Sequence, residues 1–558
     1  MIENTIKDNR TKNELLKESS PTLSGSISKA LADESVDNFT HEDYEFLKFH
    51  GIYQQDDRDV RQYGKKFIFM VRIKIPGGVI SSEQYLTLDR LSEQYANNTL
   101  RITSRQSIQF HGVIKKNLAK TIKGINEALL TTLAACGDVA RNVMAPPIPV
   151  SNPVYERVYQ DAVKVSKSLL PQTPAYYDIW IEGKQIDLNS PEYSEFVDPL
   201  YGKTYLPRKF KVAFAIPPLN DIDVFTNCLG FVAIIENNSL VGYNLLAGGG
   251  MGRSHGNTQT YPRLADVIGF FSPEYVEDVA RAVLFVFKEY GDRTNRKHVR
   301  LKYVLAEKGA EWFKNEVEKI VGFKFAPPRS FQFTHQRDNF GWHKQSEDKW
   351  YLGLFVETGR IKDSETKKYK SALKKIAEEF SPQFRFTPSN SLYLANIDEN
   401  LKGDVSRILK EHGIDVENQG TPIRKASMAC VSLPTCGLGL AESERFMPSV
   451  VSQVEHLLEE LGIPDEEITI RMTGCPNGCA RPYTAEVAFV GKAPGKYQIY
   501  LGGNESNTRL NKLYKDNVKD TDLASELYPL LKRFCQERKE GERFGDWCAR
   551  TLFTDQSQ

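Results

Sequence analysis

Polar and apolar positions are distributed unevenly along the chain. The first forty residues are rich in Ser, Lys, Asp and Glu and show no sustained periodicity, which predicts a mobile extension. Ordered structure is expected from near Tyr44. Phe67 to Ile75 (FIFMVRIKI) predicts a strand ending at the turn Pro76-Gly77-Gly78, Tyr85 to Tyr95 a helix, and Leu100 to Gly112 (LRITSRQSIQFHG) a second alternating strand.

The same order returns in the second half. Trp350 to Val356 reads as a strand, Glu357-Thr358-Gly359 as a turn, Lys370 to Phe380 as a helix and Phe384 to Ile397 (FRFTPSNSLYLANI) as a strand. A second pairing sets Phe231–Gly249 beside Val487–Gly503, each a strand pattern ending in Gly-Gly. The chain therefore predicts an α+β fold, internally duplicated with a pseudo-twofold relation, in which a cofactor at the junction receives residues from both copies.

Cysteine usage narrows the chemistry. Cys136, Cys228, Cys535 and Cys548 are scattered, whereas Cys430 and Cys436 (CVSLPTC) and Cys475 and Cys479 (CPNGC) form two pairs. Four thiolates suit a tetrahedral zinc or a [4Fe-4S] cluster, and the five-residue spacer of the first pair is wide for zinc. The flanks favour the cluster. Apolar residues at helical spacing from Val450 to Leu461 place Cys436 at or near a helix start, and Ile468 to Met472 alternates as a strand leading into the Pro476-Asn477-Gly478 turn, whose amides can point at sulfur.

Charge completes the picture. With 73 Lys+Arg against 72 Asp+Glu the formal charge is +1, which argues against a general polyanion binder, and no nucleic-acid motif is present. Basic residues nevertheless concentrate in strand-like segments: Arg101 and Arg105 with Gln109 and His111, then Arg208, Lys209 and Lys211, then Arg293, Arg296, Lys297 and Arg300. On one strand Arg101, Arg105, Gln109 and His111 share parity, so one face is expected to be polar in a way a core strand is not.

SMACVSLPTCGLGLAESERF followed by MTGCPNGCARPYTAEVAFVGKAPGKYQIYLGG resembles the siroheme and [4Fe-4S] signature of the sulfite/nitrite reductase family. The resemblance extends from HGIYQQDDRDVR through TYLPRKFK and LVGYNLLAGGG to FGDW, and TCGLGLAESER departs slightly from the family pattern without touching a cysteine. It implies three domains around a central siroheme and cluster. Residues 1–60 would be an arm, 61–133 with 345–416 two ferredoxin-like halves, 134–344 the siroheme and substrate domain, and 417–558 the cluster domain.

The resemblance also implies roles. Cys430, Cys436, Cys475 and Cys479 would hold the cluster, with Cys479 bridging to the siroheme iron. Arg101, Arg105, Gln109, His111, Arg208, Arg300 and Asn477 would line the siroheme. Arg72 and Arg141 would anchor sulfite and Lys209 and Lys211 donate protons, since arginine keeps its proton whereas a crowded lysine can release one. The implied activity is six-electron reduction of sulfite to sulfide in sulfate assimilation and cysteine biosynthesis; a ferredoxin-dependent sulfite or nitrite reductase is the alternative.

No Gly-x-Gly-x-x-Gly unit or flavin segment is found, and Gly248–Gly252 lacks the acidic residue a dinucleotide site needs. NADPH, FAD and FMN are therefore expected on a separate flavoprotein subunit, with the N-terminal arm a candidate docking element. The N-terminus has neither the apolar core of a secretory signal nor a transit-peptide bias, and the expected location is the cytoplasm.

Overall fold

The computed structural model of the chain describes residues 8–553 and resolves the alternating segments into four sheets. The first half supplies β1 (Ile52–Asp56), β2 (Phe67–Arg72), β3 (Val79–Ile80), β4 (Leu100–Ile102) and β5 (Ile108–Val113), followed by β6 (Val212–Ala215), β7 (Leu229–Glu236), β8 (Ser239–Ala247) and β9 (Asp266–Phe271). The second half repeats them as β10 (Gly341–Lys344), β11 (Lys349–Leu354), β12 (Arg360–Ile361), β13 (Gln383–Phe386) and β14 (Leu392–Asp398). It continues through β15 (Met428–Ala429), β16 (Ile470–Thr473), β17 (Val487–Ala493), β18 (Lys496–Leu501) and β19 (Lys512–Lys519).

The two smaller sheets are interlocked. Their orders are β1-β2-β5-β4-β12 and β10-β11-β14-β13-β3, so each half lends a two-residue strand to the other. Arg360 pairs with Arg101 in one exchange and Val79 with Arg385 in its counterpart. The turn that launches β3 needs glycine: Gly78 has φ +74°, and a Cβ there would lie 2.7 Å from both Gln106 Cβ and Phe386 O. Helix Ser82–Tyr95 then starts on a capping box, with Ser81 and Gln84 satisfying each other's backbone amides.

The duplication can be read residue by residue from the pairing. Arg101 faces Gln109 and Arg385 faces Tyr393, an offset of 284 (385 − 101 and 393 − 109). At that offset Gln106 Nε2 donates to Phe386 O at 3.1 Å, and its mate Asn390 Nδ2 donates to Ile102 O at 3.0 Å. The larger sheets, β6-β7-β8-β9 and β15-β16-β17-β18-β19, share a parallel pair followed by antiparallel strands. Val212 pairs with Leu229 and Ile470 with Val487, an offset of 258 (470 − 212 and 487 − 229).

One apolar core, including Phe69, Phe214 and Leu394, runs through both small sheets and the β6–β9 sheet. A second, around Val454, Phe489 and Trp547, belongs to the C-terminal unit.

Three expectations are corrected. Residues 12–47 are not an unstructured arm: helices Lys12–Ser19, Ile27–Ala32 and His41–Leu47 pack onto the body, where Lys17 Nζ donates to Glu14 Oε1 at 2.6 Å and to Leu206 O at 2.8 Å. The polar composition hid a buried ion pair and the apolar anchors Leu23, Ile27 and Phe39. Residues 1–7 of the expected arm lie outside the described residues.

Leu100–Gly112 is not one strand but β4, a turn at Thr103–Ser107 and β5, because Gln106 takes φ +53°. Its repeat divides likewise into β13 and β14 around Asn390 at φ +73°. Cys436, finally, lies in a turn well before helix Met447–Glu460 rather than at a helix start.

Candidate active site

The broken strand changes how the polar face is made. Cross-strand register, not parity along one strand, sets Arg72, Gln109, Arg101 and Arg360 in one row across β2, β5, β4 and β12. Burial drives His111 well below the usual imidazole range, so its ring is neutral. In the orientation that satisfies both ends, the Gln109 amide donates to His111 Nε2 at 3.2 Å and accepts from Arg72 Nε at 2.8 Å.

Arg101 turns away from this row. Its Nε donates to Glu444 Oε2 at 3.0 Å, its Nη2 to Ala429 O at 2.9 Å and its Nη1 to Ile102 O, so all three nitrogens are spent on protein. It ties the first half to the cysteine-bearing unit.

Arg105 sits at the turn beside Gln106. It donates to Asn227 Oδ1 at 2.9 Å and to Val212 O at 3.0 Å. Arg141 is buried and donates to Gly137 O; burial opposes its charge, but Tyr53, Cys136 and Asp138 hold it protonated. Arg300 Nη2 lies 3.3 Å from Cys228 Sγ. Arg208 is 3.7 Å from Asp138 at the rim, and Arg293 and Arg296 pair with Glu14 and Asp138 in the arm contact.

Lys209 and Lys211 precede β6 and face this group. Burial, followed by Arg141, Arg300 and Arg208, pushes Lys209 down to about 7. Burial, followed by Arg105, Lys209 and Arg300, carries Lys211 well below its usual range. Ser104 Oγ donates to Cys479 O at 2.8 Å, which holds the exposed Cys479 against the turn that carries Arg105.

The four sequence-predicted cysteines are brought together. The Cys430 thiol is raised by burial and then by Cys479, Cys475 and Cys436, and burial and Cys479 raise Cys475 to about 12. Gly474 N lies 3.4 Å from Cys430 Sγ and Asn477 Nδ2 3.4 Å from Cys475 Sγ, so amides already point at sulfur. The Cys436 turn is held by Arg58, which donates to Cys436 O at 2.6 Å and Gly439 O at 2.7 Å. Four cysteines so placed are the donor set that a [4Fe-4S] cluster takes.

The Gly-rich loop has a packing task. Arg253 N donates to Pro476 O at 2.9 Å, and a Cβ on Gly252 would approach Asn477 O to 3.2 Å. The glycines let this loop close over the CPNGC turn.

Whether a polyanionic tetrapyrrole fits is tested by buried atoms without partners. Lys74 Nζ, Arg105 Nε, His111 Nδ1 and Arg300 Nε are orphaned donors here, beside one orphaned acceptor, Asn142 Oδ1. An unsatisfied buried polar group costs about 1–3 kcal/mol, more if charged, so the protein alone leaves this pocket incomplete. Excess buried donors are what a polycarboxylate needs. Lys74 was missed in the sequence although it shares parity with Arg72 in FMVRIKI; Asn142 and Asn227 carried no signal.

The mate of this pocket shows why one copy alone is built for it. At the offsets above, Arg105, Arg141, Lys209 and Lys211 become Ser389, Lys425, Glu467 and Thr469, and all four line a cavity of about 190 Å³. At these four positions four cations become one lysine, one carboxylate and two hydroxyls.

Comparison with known proteins agrees with this geometry. Residues 61–128 and 343–412 match the nitrite/sulfite reductase ferredoxin-like half domain, and residues 161–325 match the nitrite and sulphite reductase 4Fe-4S domain. The latter span contains none of the four clustered cysteines; it is the first copy, and the cysteines lie in its mate. The chain is 47% identical to a sulfite reductase [NADPH] hemoprotein beta-component from Staphylococcus saprophyticus, covering 96% of this chain and 95% of that one. It is 46% identical to one from Myxococcus xanthus, covering 96% of each. The fold matches that of NirA from Mycobacterium tuberculosis with a TM-score of 0.80 at 24% identity, over 97% of this chain and 96% of that chain.

Proposed function

The chain belongs to the nitrite and sulfite reductase family, and from that premise we propose how its residues carry out the six-electron reduction of sulfite to sulfide as the hemoprotein component of an NADPH-linked enzyme. One observation carries the reading: the exposed Cys479 of a four-cysteine set is held against the Arg105 turn, in a group of buried cations where Lys74, Arg105 and Arg300 each keep one nitrogen without a partner. A siroheme and a [4Fe-4S] cluster held here would supply the electrons for the reduction, with Cys479 the residue shared between them. Cys430, Cys436, Cys475 and Cys479 hold the cluster, while Arg105, Arg300, Lys74 and the Gln109–His111 pair face the tetrapyrrole.

The remaining cations serve the substrate. Arg72 and Arg141 hold sulfite by charge and directed hydrogen bonds. Lys209 and Lys211, whose protonated forms are destabilised by burial and by the neighbouring arginines, deliver protons to the departing oxygens. As each lysine gives up its proton, repulsion within the cation cluster falls, which makes donation favourable. Arg101 and Arg208 are framework and rim residues in this reading.

Electrons arrive from a separate flavoprotein that holds NADPH, FAD and FMN. Among the described residues no helix is long and apolar enough to cross a membrane. The test is an absorption spectrum of protein from a siroheme-producing host, with iron and sulfide assayed on the same sample. Tetrapyrrole bands with about five irons and four sulfides per chain are expected; a colourless protein would overturn the reading.

A further inference from the structure

The offset of 258 that relates β6 to β16 also relates Asp223 to Arg481. Both residues adopt the left-handed conformation, at φ +50° and +52°, and each precedes an equivalent short helical turn, Val224–Thr226 and Pro482–Thr484. They are one position in two copies, and their side chains form an ion pair with each other. A residue that touches its own mate lies on the pseudo-twofold axis.

The other contacts of Arg481 obey the same symmetry. Its Nη1 donates to Ser104 O at 2.8 Å and its Nη2 to Pro388 O at 3.1 Å, and Ser104 and Pro388 are mates at the offset of 284. The guanidinium thus gathers both large units and both small halves at one buried point, with Arg471 Nη1 completing the acid's surroundings 2.9 Å from Asp223 Oδ2. Arg481 lies two residues from Cys479, whose carbonyl accepts from Ser104 Oγ at 2.8 Å, and Ser104 neighbours Arg105. The cysteine loop and the cationic turn are therefore registered against each other through Arg481.

We propose that Arg481 is a positioning residue: from the axis, paired with Asp223, it sets the Cys479 loop against the Arg105 turn, so that the bridging sulfur stands at the junction where the siroheme iron must meet it. The proposal rests on the reading of the site given above. Its chemistry is that of an outer-shell partner, which orients a ligand without touching the metal.

The test uses the purified holoprotein with Arg481→Gln, Arg481→Lys and Asp223→Asn. Arg481→Gln is expected to keep iron, sulfide and tetrapyrrole content yet shift the tetrapyrrole bands. Its kcat should fall about 10- to 100-fold, the usual effect of losing an outer-shell partner, with KM within about twofold. Amide exchange across residues 475–481 should quicken. Arg481→Lys, which keeps the charge, should recover part of the spectrum. Should Arg481→Gln fail to fold, Asp223→Asn, nearly isosteric, should show the same shift in weaker form. Wild-type spectra and kcat in both Arg481→Gln and Asp223→Asn, with only thermal stability lowered, would reduce Arg481 to a structural clamp and overturn the proposal. Loss of tetrapyrrole from the wild-type protein itself would instead overturn the underlying reading.

Discussion

Asp223 and Arg481 occupy the same position in the two copies of the larger unit, yet one is an acid and the other a base, and they meet in a buried ion pair. Identical residues there would bring like charges together at a point shielded from water, where repulsion is strongest. A charged pair on the axis therefore requires the two copies to differ there. The divergence that pairs these residues also runs through the pockets, where Lys209 and Lys211 on one side face Glu467 and Thr469 at the matching positions of the other.

Replacing either pocket lysine separates binding from chemistry. Lys209→Ala and Lys211→Ala should retain cluster and tetrapyrrole but lose turnover by about 10²- to 10⁴-fold, the range of general acid catalysis. Steady-state rates with an artificial reductant check this, and normal turnover in either variant removes it from the proton-donor role.

Cys479→Ser should act on assembly rather than on rate alone. A hydroxyl is a poor substitute for a thiolate bridge, so the spectrum of the coupled centre should be lost while the fold, read by circular dichroism, remains. An unchanged spectrum would falsify the bridging assignment.

The pocket should bind anions more tightly in acid. Lys209 titrates at about 7, held down by burial and by Arg141, and an anion favours its protonated form. Affinity for nitrate, which does not itself titrate near neutrality, should therefore fall as pH rises from 6 to 8, with proton uptake on binding. Calorimetry in buffers of different ionisation enthalpy measures both.

Lys74→Met should have opposite effects on the empty and the loaded chain. Removing a buried ammonium without a partner should raise the stability of the cofactor-free protein by about 1–3 kcal/mol, while tetrapyrrole occupancy falls. Thermal melts and pyridine hemochrome content report the two sides, and a variant that loses stability without losing occupancy sinks the assignment.

The arm should loosen in acid. His50, buried between Leu23 O at 2.9 Å and Trp180 Nε1 at 3.0 Å, is held down to about 4 by burial. Its folded value is below the unfolded one, so stability is fully present above about 6.5 and declines as pH falls toward 4. Limited proteolysis near residues 8–47 across that window tests it, and His50→Gln should flatten the dependence.

The duplicated order of elements and the four clustered cysteines were legible in the chain because both are local: periodicity, turn residues and spacing record what each segment does on its own. The arm was misread for the same reason, since the partner of Lys17 that fixes it, Leu206 O, is remote in sequence. LRITSRQSIQFHG looked like one strand because nothing within it shows that Gln106 must turn to reach Ala145 O and Phe386 O.

The repeat, the clustering of four cysteines and the cationic character of the pocket were all written in the chain. The folded arrangement adds that Arg101 belongs to Glu444, that the Lys74 ammonium has no hydrogen-bond partner, and that Arg481 lies on the axis against its own mate. A charge has a role only relative to what it faces across the fold, and the pairing of two copies sets that facing.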